Sequence, residues 1–229
     1  MKIRIKFTKT GCMKFIGHLD IMRFFQKAIR RSGLPIAFSE GFSPHMIMSF
    51  AAPLGVGVTS SGEYFDMELT EEISSAELTD RLNREMVEGM QVISARKIPE
   101  GKAGKAMSLV AAADYFVSFR EGLELKGWEK CLDDFFRQDE IVILRKTKRS
   151  EKETDIRPWI LELRSEKNGI FMKVSQGSAA NLKPDLVMSA LEQFTGAKLP
   201  EFVQYERLDM YCLENDKLVS LSEIGGNIE

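Results

Sequence analysis

The chain has 229 residues, 44% hydrophobic and 29% charged, which excludes a disordered polymer and leaves room for one large core or two smaller ones. No apolar run reaches membrane-spanning length, and Met1-Lys2-Ile3-Arg4-Ile5-Lys6 alternates where a signal peptide would carry an apolar block, so a cytoplasmic protein is expected. The net charge of −2 hides an uneven spread: Lys2, Arg4, Lys6, Lys9, Lys14, Arg23, Lys27, Arg30 and Arg31 face only Asp20 and Glu40 before Phe50, and acidic residues dominate from Glu63 to Glu88.

Lys2 to Thr8 alternates, with Ile3, Ile5 and Phe7 on one side, as a half-buried strand does. From Asp20 to Ser32 apolar residues at Ile21, Met22, Phe24, Phe25, Ala28 and Ile29 recur with helical spacing, and Gly33-Leu34-Pro35 supplies the stop. Extended segments follow over Ile36 to Phe50 and Gly62 to Leu69. Ser74 or Ser75 caps a helix running to about Val87, and Met90 to Ile98 is a strand. The order strand, helix, strand, strand, helix, strand is the ferredoxin-like arrangement.

The small, weakly patterned stretch Pro99 to Ala106 marks a boundary. Beyond it the same order recurs: a strand at Asp114 to Phe119, a helix at Leu123 to Arg137, a strand at Glu140 to Thr147, a hairpin of Ile156–Arg164 with Gly169–Ser175, a helix from Pro184, and a strand at Phe202 to Leu213. The expected fold is therefore α+β, with two tandem ferredoxin-like (βαββαβ) subdomains and antiparallel sheets. They occupy residues 1–100 and 113–214, and 215–229 form a mobile tail. The duplication rests on element order alone.

Chemistry concentrates between Phe15 and Val58. Arg23, Lys27, Arg30 and Arg31, three or four apart, make a basic stripe on one helix face. The loop Ser39-Glu40-Gly41-Phe42-Ser43-Pro44-His45 has the small and glycine residues of an anion-binding nest, in which Ser39 and Ser43 would meet phosphate and Phe42 would stack on a base. A second basic cluster holds Lys146, Lys148 and Arg157. His18, Asp20 and His45 are the candidates for acid–base work. Residues two apart do not face each other on a helix, however, so binding or structural duty is favoured for His18 and Asp20. Two histidines and three scattered cysteines, Cys12, Cys131 and Cys212, give neither a metal ligand set nor a disulfide framework, and no cofactor is expected.

The ordered run Gly17-His18-Leu19-Asp20, Arg23, Arg30-Arg31-Ser32-Gly33-Leu34-Pro35, Ser39 to His45 and Ser49-Phe50-Ala51 resembles the radical SAM-linked family, or DUF2344 domain. Its members stand alone or are fused behind a radical SAM enzyme, often beside genes for RNA processing and ribosomal proteins. This chain departs from the pattern after His45, where Met46-Ile47 replace the usual proline and lysine. It also lacks the CxxxCxxC cluster motif of the radical enzymes themselves. The local excess of positive charge points to an RNA-binding accessory protein, and the resemblance implies that it assists a separate radical SAM enzyme in tRNA or rRNA modification or processing. Two alternatives are a metal-independent RNA-processing or RNA-modifying enzyme using His18 and His45, and a protein–protein adaptor with Phe42, Met46, Met48 and Phe50 as an apolar patch.

Overall fold

The computed structural model describes residues 1–99, 105–120, 128–146, 151–178, 180–198 and 202–229. The chain is mixed α+β and divides into two units, Met1–Ala111 with Arg207–Glu229, and Ala112–Glu206. The first unit is thus closed by residues from the far end of the sequence.

In the first unit β1 (Lys2–Lys9), α1 (His18–Arg31), β2 (Met48–Phe50), β3 (Thr59–Glu68), α2 (Ser75–Asn83) and β4 (Met90–Lys97) follow in turn, and α3 (Ala106–Leu109) comes after them. The strand order is β4-β1-β3, with β2 also on β3. Part of β10 (Val203–Glu214) lies on β3 too, and β11 (Lys217–Ser220) pairs with β10. β1 is antiparallel to both β3 and β4, and β2 is antiparallel to β3. The alternation in β1 sends Ile3, Ile5 and Phe7 inward. There they meet Phe65 and Met67 of β3, Ile21, Phe25 and Ile29 of α1, and Leu78 and Leu82 of α2. α2 starts where Ser74 accepts a hydrogen bond from the Glu77 amide at 3.2 Å, the expected cap.

Three expectations change. Only Met48–Phe50 of the segment Ile36 to Phe50 forms a strand, since Ile36 and Phe38 make isolated bridges to Leu69 and Met46. A loop closed on itself then replaces the continuous extended run. The segment from Asn215, expected as a mobile tail, instead carries β11. It also sets Gly226 against Lys97, with 2.8 and 3.0 Å backbone bonds, and buries Leu221 completely. Finally, α3 occupies part of the expected linker.

The second unit contains most of β5 (Val110–Phe119), α4 (Trp128–Phe136), β6 (Val142–Lys146), β7 (Glu151–Asp155), β8 (Ile160–Glu166), β9 (Gly169–Ser175) and α5 (Pro184–Thr195). β5, β9 and β8 are neighbours in that order, all antiparallel. Asn168, at φ 67°, makes the expected turn between β8 and β9. β6 and β7 pair only with each other among the described residues, so the strand expected at Glu140 to Thr147 belongs to a separate two-stranded hairpin. Phe135 of α4 stacks against Phe194 of α5 at 5.6 Å. The start of the helix expected from Leu123 lies outside the described residues.

Candidate nucleic-acid interface

α1 has the two faces its spacing predicts. Ile21, Phe25, Ala28 and Ile29 are buried, while Arg23, Lys27, Arg30 and Arg31 are exposed. Two of the cations already have acidic neighbours: Arg23 pairs with Asp20 at 3.1 Å, and Arg31 with Glu85 at 2.5 Å. Such exposed pairs are weak and open readily to a polyanion. Lys27 and Arg30 form no ion pair among the described residues and are the most available charges of the row.

The Ser39–His45 loop is closed at its base. The Ser39 amide donates to the His45 carbonyl at 2.9 Å, the His45 amide donates to Ser39 Oγ at 3.1 Å, and Ser39 Oγ lies 2.8 Å from His45 Nδ1. This leaves Ser39 committed to the loop and Ser43 exposed. Gly41, at φ 108°, takes a conformation that a side chain would resist, and beside it Phe42 is wholly exposed. Phe15, Leu19 and Val56 are also largely exposed, but only Phe42 is wholly so, at the tip of the closed loop. The apolar patch expected around it does not form, because Met46 and Phe50 are only 4% and 7% exposed and belong to the core.

His18 and His45 do not meet. His45 is exposed and bonded to Ser39, whereas the His18 ring packs edge-on against Phe50 at 5.4 Å and lines a small cavity with Lys9, Glu63 and Leu54. That cavity is the mouth of a buried charge cluster. Arg207, fully buried, donates through Nε and Nη2 to the two oxygens of Glu63 at 2.7 and 2.6 Å, and Nη2 also reaches the Ala52 carbonyl at 3.1 Å. Lys9, also buried, donates to the Ile16 carbonyl at 2.8 Å. Burial pushes the His18 imidazole below its ordinary pKa; Glu63 opposes that shift, and Lys9 and Arg207 add to it. Burial likewise lowers Lys9, against the pull of Glu63. The neutral imidazole is favoured, so His18 belongs to the polar end of the core.

In the second unit Arg157 is committed locally. Its Nε donates to the Gln138 carbonyl at 3.2 Å and its Nη1 to the Ile160 carbonyl at 3.3 Å, with the guanidinium 4.2 Å from the centre of the Phe136 ring. Lys146 ends β6, and Lys148 lies outside the described residues.

These observations define a mixed α+β protein with a solvent-facing basic helix and a bare aromatic at a tight loop. A family model described as an uncharacterized protein conserved in bacteria matches residues 2–184, and the chain belongs to that family, DUF2344. No curated protein matches the sequence. Among the described residues no helix is long and apolar enough to cross a membrane, and no group of three or more His, Cys, Asp or Glu is placed to hold a metal ion.

Proposed function

We propose that the chain is a cytoplasmic RNA-binding accessory protein, which positions tRNA or rRNA for a separate radical SAM enzyme. The observation that carries the RNA part is the exposed row Arg23, Lys27 and Arg30 on a helix whose other face is fully buried. Lysine and arginine in such a row neutralise consecutive phosphates without reading sequence, and a bare phenyl ring such as Phe42 gives an unpaired base a surface to stack on. The partner enzyme rests on the family resemblance. A ferredoxin-like first subdomain is supported by the βαββαβ element order and by the neighbours β4-β1-β3, with the short β2 on β3 beside β10.

The test is RNA binding followed by fluorescence anisotropy at increasing salt. Affinity for single-stranded or looped RNA should fall steeply as counterions are taken up again. The quadruple variant R23Q/K27Q/R30Q/R31Q should lose most of it and flatten the logarithmic salt slope by up to about 3, at roughly 0.7 per phosphate contact on a single strand. F42A should cost about 1–3 kcal/mol if one base stacks there. Unchanged affinity of the quadruple variant at low salt would reduce the row to a solvated helix face.

A further inference from the structure

Beyond the basic helix, the first unit holds a cavity of about 180 Å³ at β2, where the sheet face opposite α1 meets the edge of the core. The register fixes which side chains share that face. Lys2 stands opposite Glu68 and Ser49 opposite Asp66, one residue out of phase with the core-facing Ile3, Met67 and Phe50. Ile47 and Ile98 are among the apolar walls, Met46, Met48 and Met67 line the cavity from the core side, with Met48 standing opposite Met67, and Lys105 lines the mouth. The mouth is built. The Asp66 carboxylate is engaged by Arg4 at 2.9 and 3.2 Å and by the Ala106 amide at 2.6 Å, which fastens the start of α3 and with it the adjoining Lys105.

Beside His45, whose Nδ1 is held by Ser39 Oγ, and with Asp66 occupied, four polar side chains are left to a ligand: the Lys2 and Lys105 ammoniums, the Glu68 carboxylate and the Ser49 hydroxyl. None of the four side chains makes a hydrogen bond or ion pair within the chain among the described residues. An apolar cavity with a few convergent polar groups is what a small-molecule site requires, and its volume, below the roughly 300 Å³ at which drug-sized pockets begin, admits one flat ring system. The cations call for an anion. The carboxylate accepts only, so it calls for a donor edge. Adenine and cytosine place a ring acceptor beside their amino group, and uracil flanks its single N–H with two carbonyls. Guanine alone of the four bases presents two adjacent donors, N1–H and N2–H.

We propose that this cavity binds a guanine nucleotide, its base between the apolar walls with its donor edge on Glu68 and its phosphate on Lys2 and Lys105. The site is separate from the α1 row and stands or falls independently of RNA binding there. A free nucleotide and a guanosine within single-stranded RNA present the same chemistry.

The experiment labels the methionine methyls with ¹³C and titrates GMP, AMP and guanosine up to millimolar concentration, with free methionine as the zwitterionic competitor. GMP should shift the Met46 and Met48 methyls, AMP should bind at least about tenfold more weakly for want of the paired donors, and E68Q should lose a similar factor. K105Q should bring GMP down toward guanosine. A pentanucleotide RNA with one guanosine, matched with one lacking it, separates the two sources: shifts with GMP alone assign a free nucleotide, and shifts with the guanosine-bearing strand assign RNA. Loss of RNA binding in the α1 quadruple variant with GMP shifts intact leaves the site standing. No methyl shift with GMP, equal response to AMP, stronger response to methionine, or unaltered GMP affinity in a folded E68Q would each overturn it.

Discussion

At the scale of single residues, the decisive side chains in the first unit are charges placed where apolar residues belong. The inward positions of β1 run Ile3, Ile5, Phe7 and then Lys9, and opposite them β3 runs Met67, Phe65 and then Glu63. Both strands therefore end their apolar row in a charge, beneath His18. A buried Arg–Glu pair costs desolvation that its hydrogen bonds offset, and the cluster keeps His18 neutral more readily than water would. Because the folded pKa of His18 lies below its ordinary value, the unfolded chain takes up more protons just below pH 6.5. Its contribution to stability is then complete above about pH 6.5 and is lost as pH falls toward the folded pKa, below which it changes no further. Titration of the His18 ring by NMR should give a midpoint below 6.5, E63Q should lower it further, and H18N should remove that part of the pH dependence of unfolding. H18N should also reduce stability and RNA binding together. Turnover by the purified protein, abolished by H18N with binding and stability intact, would make His18 catalytic instead. Lys9 counts in the sequence only as one of the N-terminal cations, just beyond the alternating stretch Lys2 to Thr8, and its burial is not read there. Arg207 was not legible either, since nothing local marks a partner 144 residues from Glu63.

At the scale of elements, periodicity located what packs by local rules. α1, with its one-sided apolar spacing, begins two residues before the Asp20 expected and ends one before Ser32, and β9 matches its expected bounds. Where hydrogen bonds are made with remote segments the pattern was silent. β6 and β7 pair with each other through alternating residues, so the same spacing that suggested a sheet strand is satisfied by a hairpin. The exposed charge of the N-terminal fifth was also overread, because composition counts cations without regard to their partners. Arg4 is buried against Asp66, and Lys6 lies 3.4 Å from Asp209. Gly62 shows the same limit. A Cβ there would stand 2.4 Å from the Leu208 carbonyl oxygen and 2.8 Å from the Asp209 Cα, so β3 can approach the Arg207–Glu214 part of β10 only with glycine at that point. G62A should therefore destabilise by about 1–3 kcal/mol through overpacking, read as a lower denaturant midpoint. An unchanged midpoint would mean that the two strands separate at little cost.

At the scale of the whole molecule, chain order and structural order diverge. The last residues return to the unit that the first residues begin, and the weakening of composition near Pro99 carries no sign of that return. The returning segment is held by chemistry that a run of Asn, Asp, Ser and Gly conceals. Asp209 accepts from the Tyr64 hydroxyl and, at 2.7 Å, from Ser220 Oγ, and desolvation together with that carboxylate raises the Tyr64 phenol well above its ordinary pKa. Farther on, the Ile228 amide donates to Ser75 Oγ at 2.9 Å, at the start of α2, and the Ile228 side chain packs on the core. Fifteen or so residues that look like a free tail thus fasten β4, β10 and α2, and the stability of the basic helix α1 depends on them through the shared core. L221A should cost about 2–5 kcal/mol, as for any fully buried leucine truncated in a core that cannot close up. Deletion from Lys217 onward should cost more than L221A, because it removes β11, the Gly226 bridge and Ile228 as well, and in thermal unfolding followed by circular dichroism its midpoint should lie below that of L221A. A truncated chain melting with the full-length midpoint would restore the mobile tail.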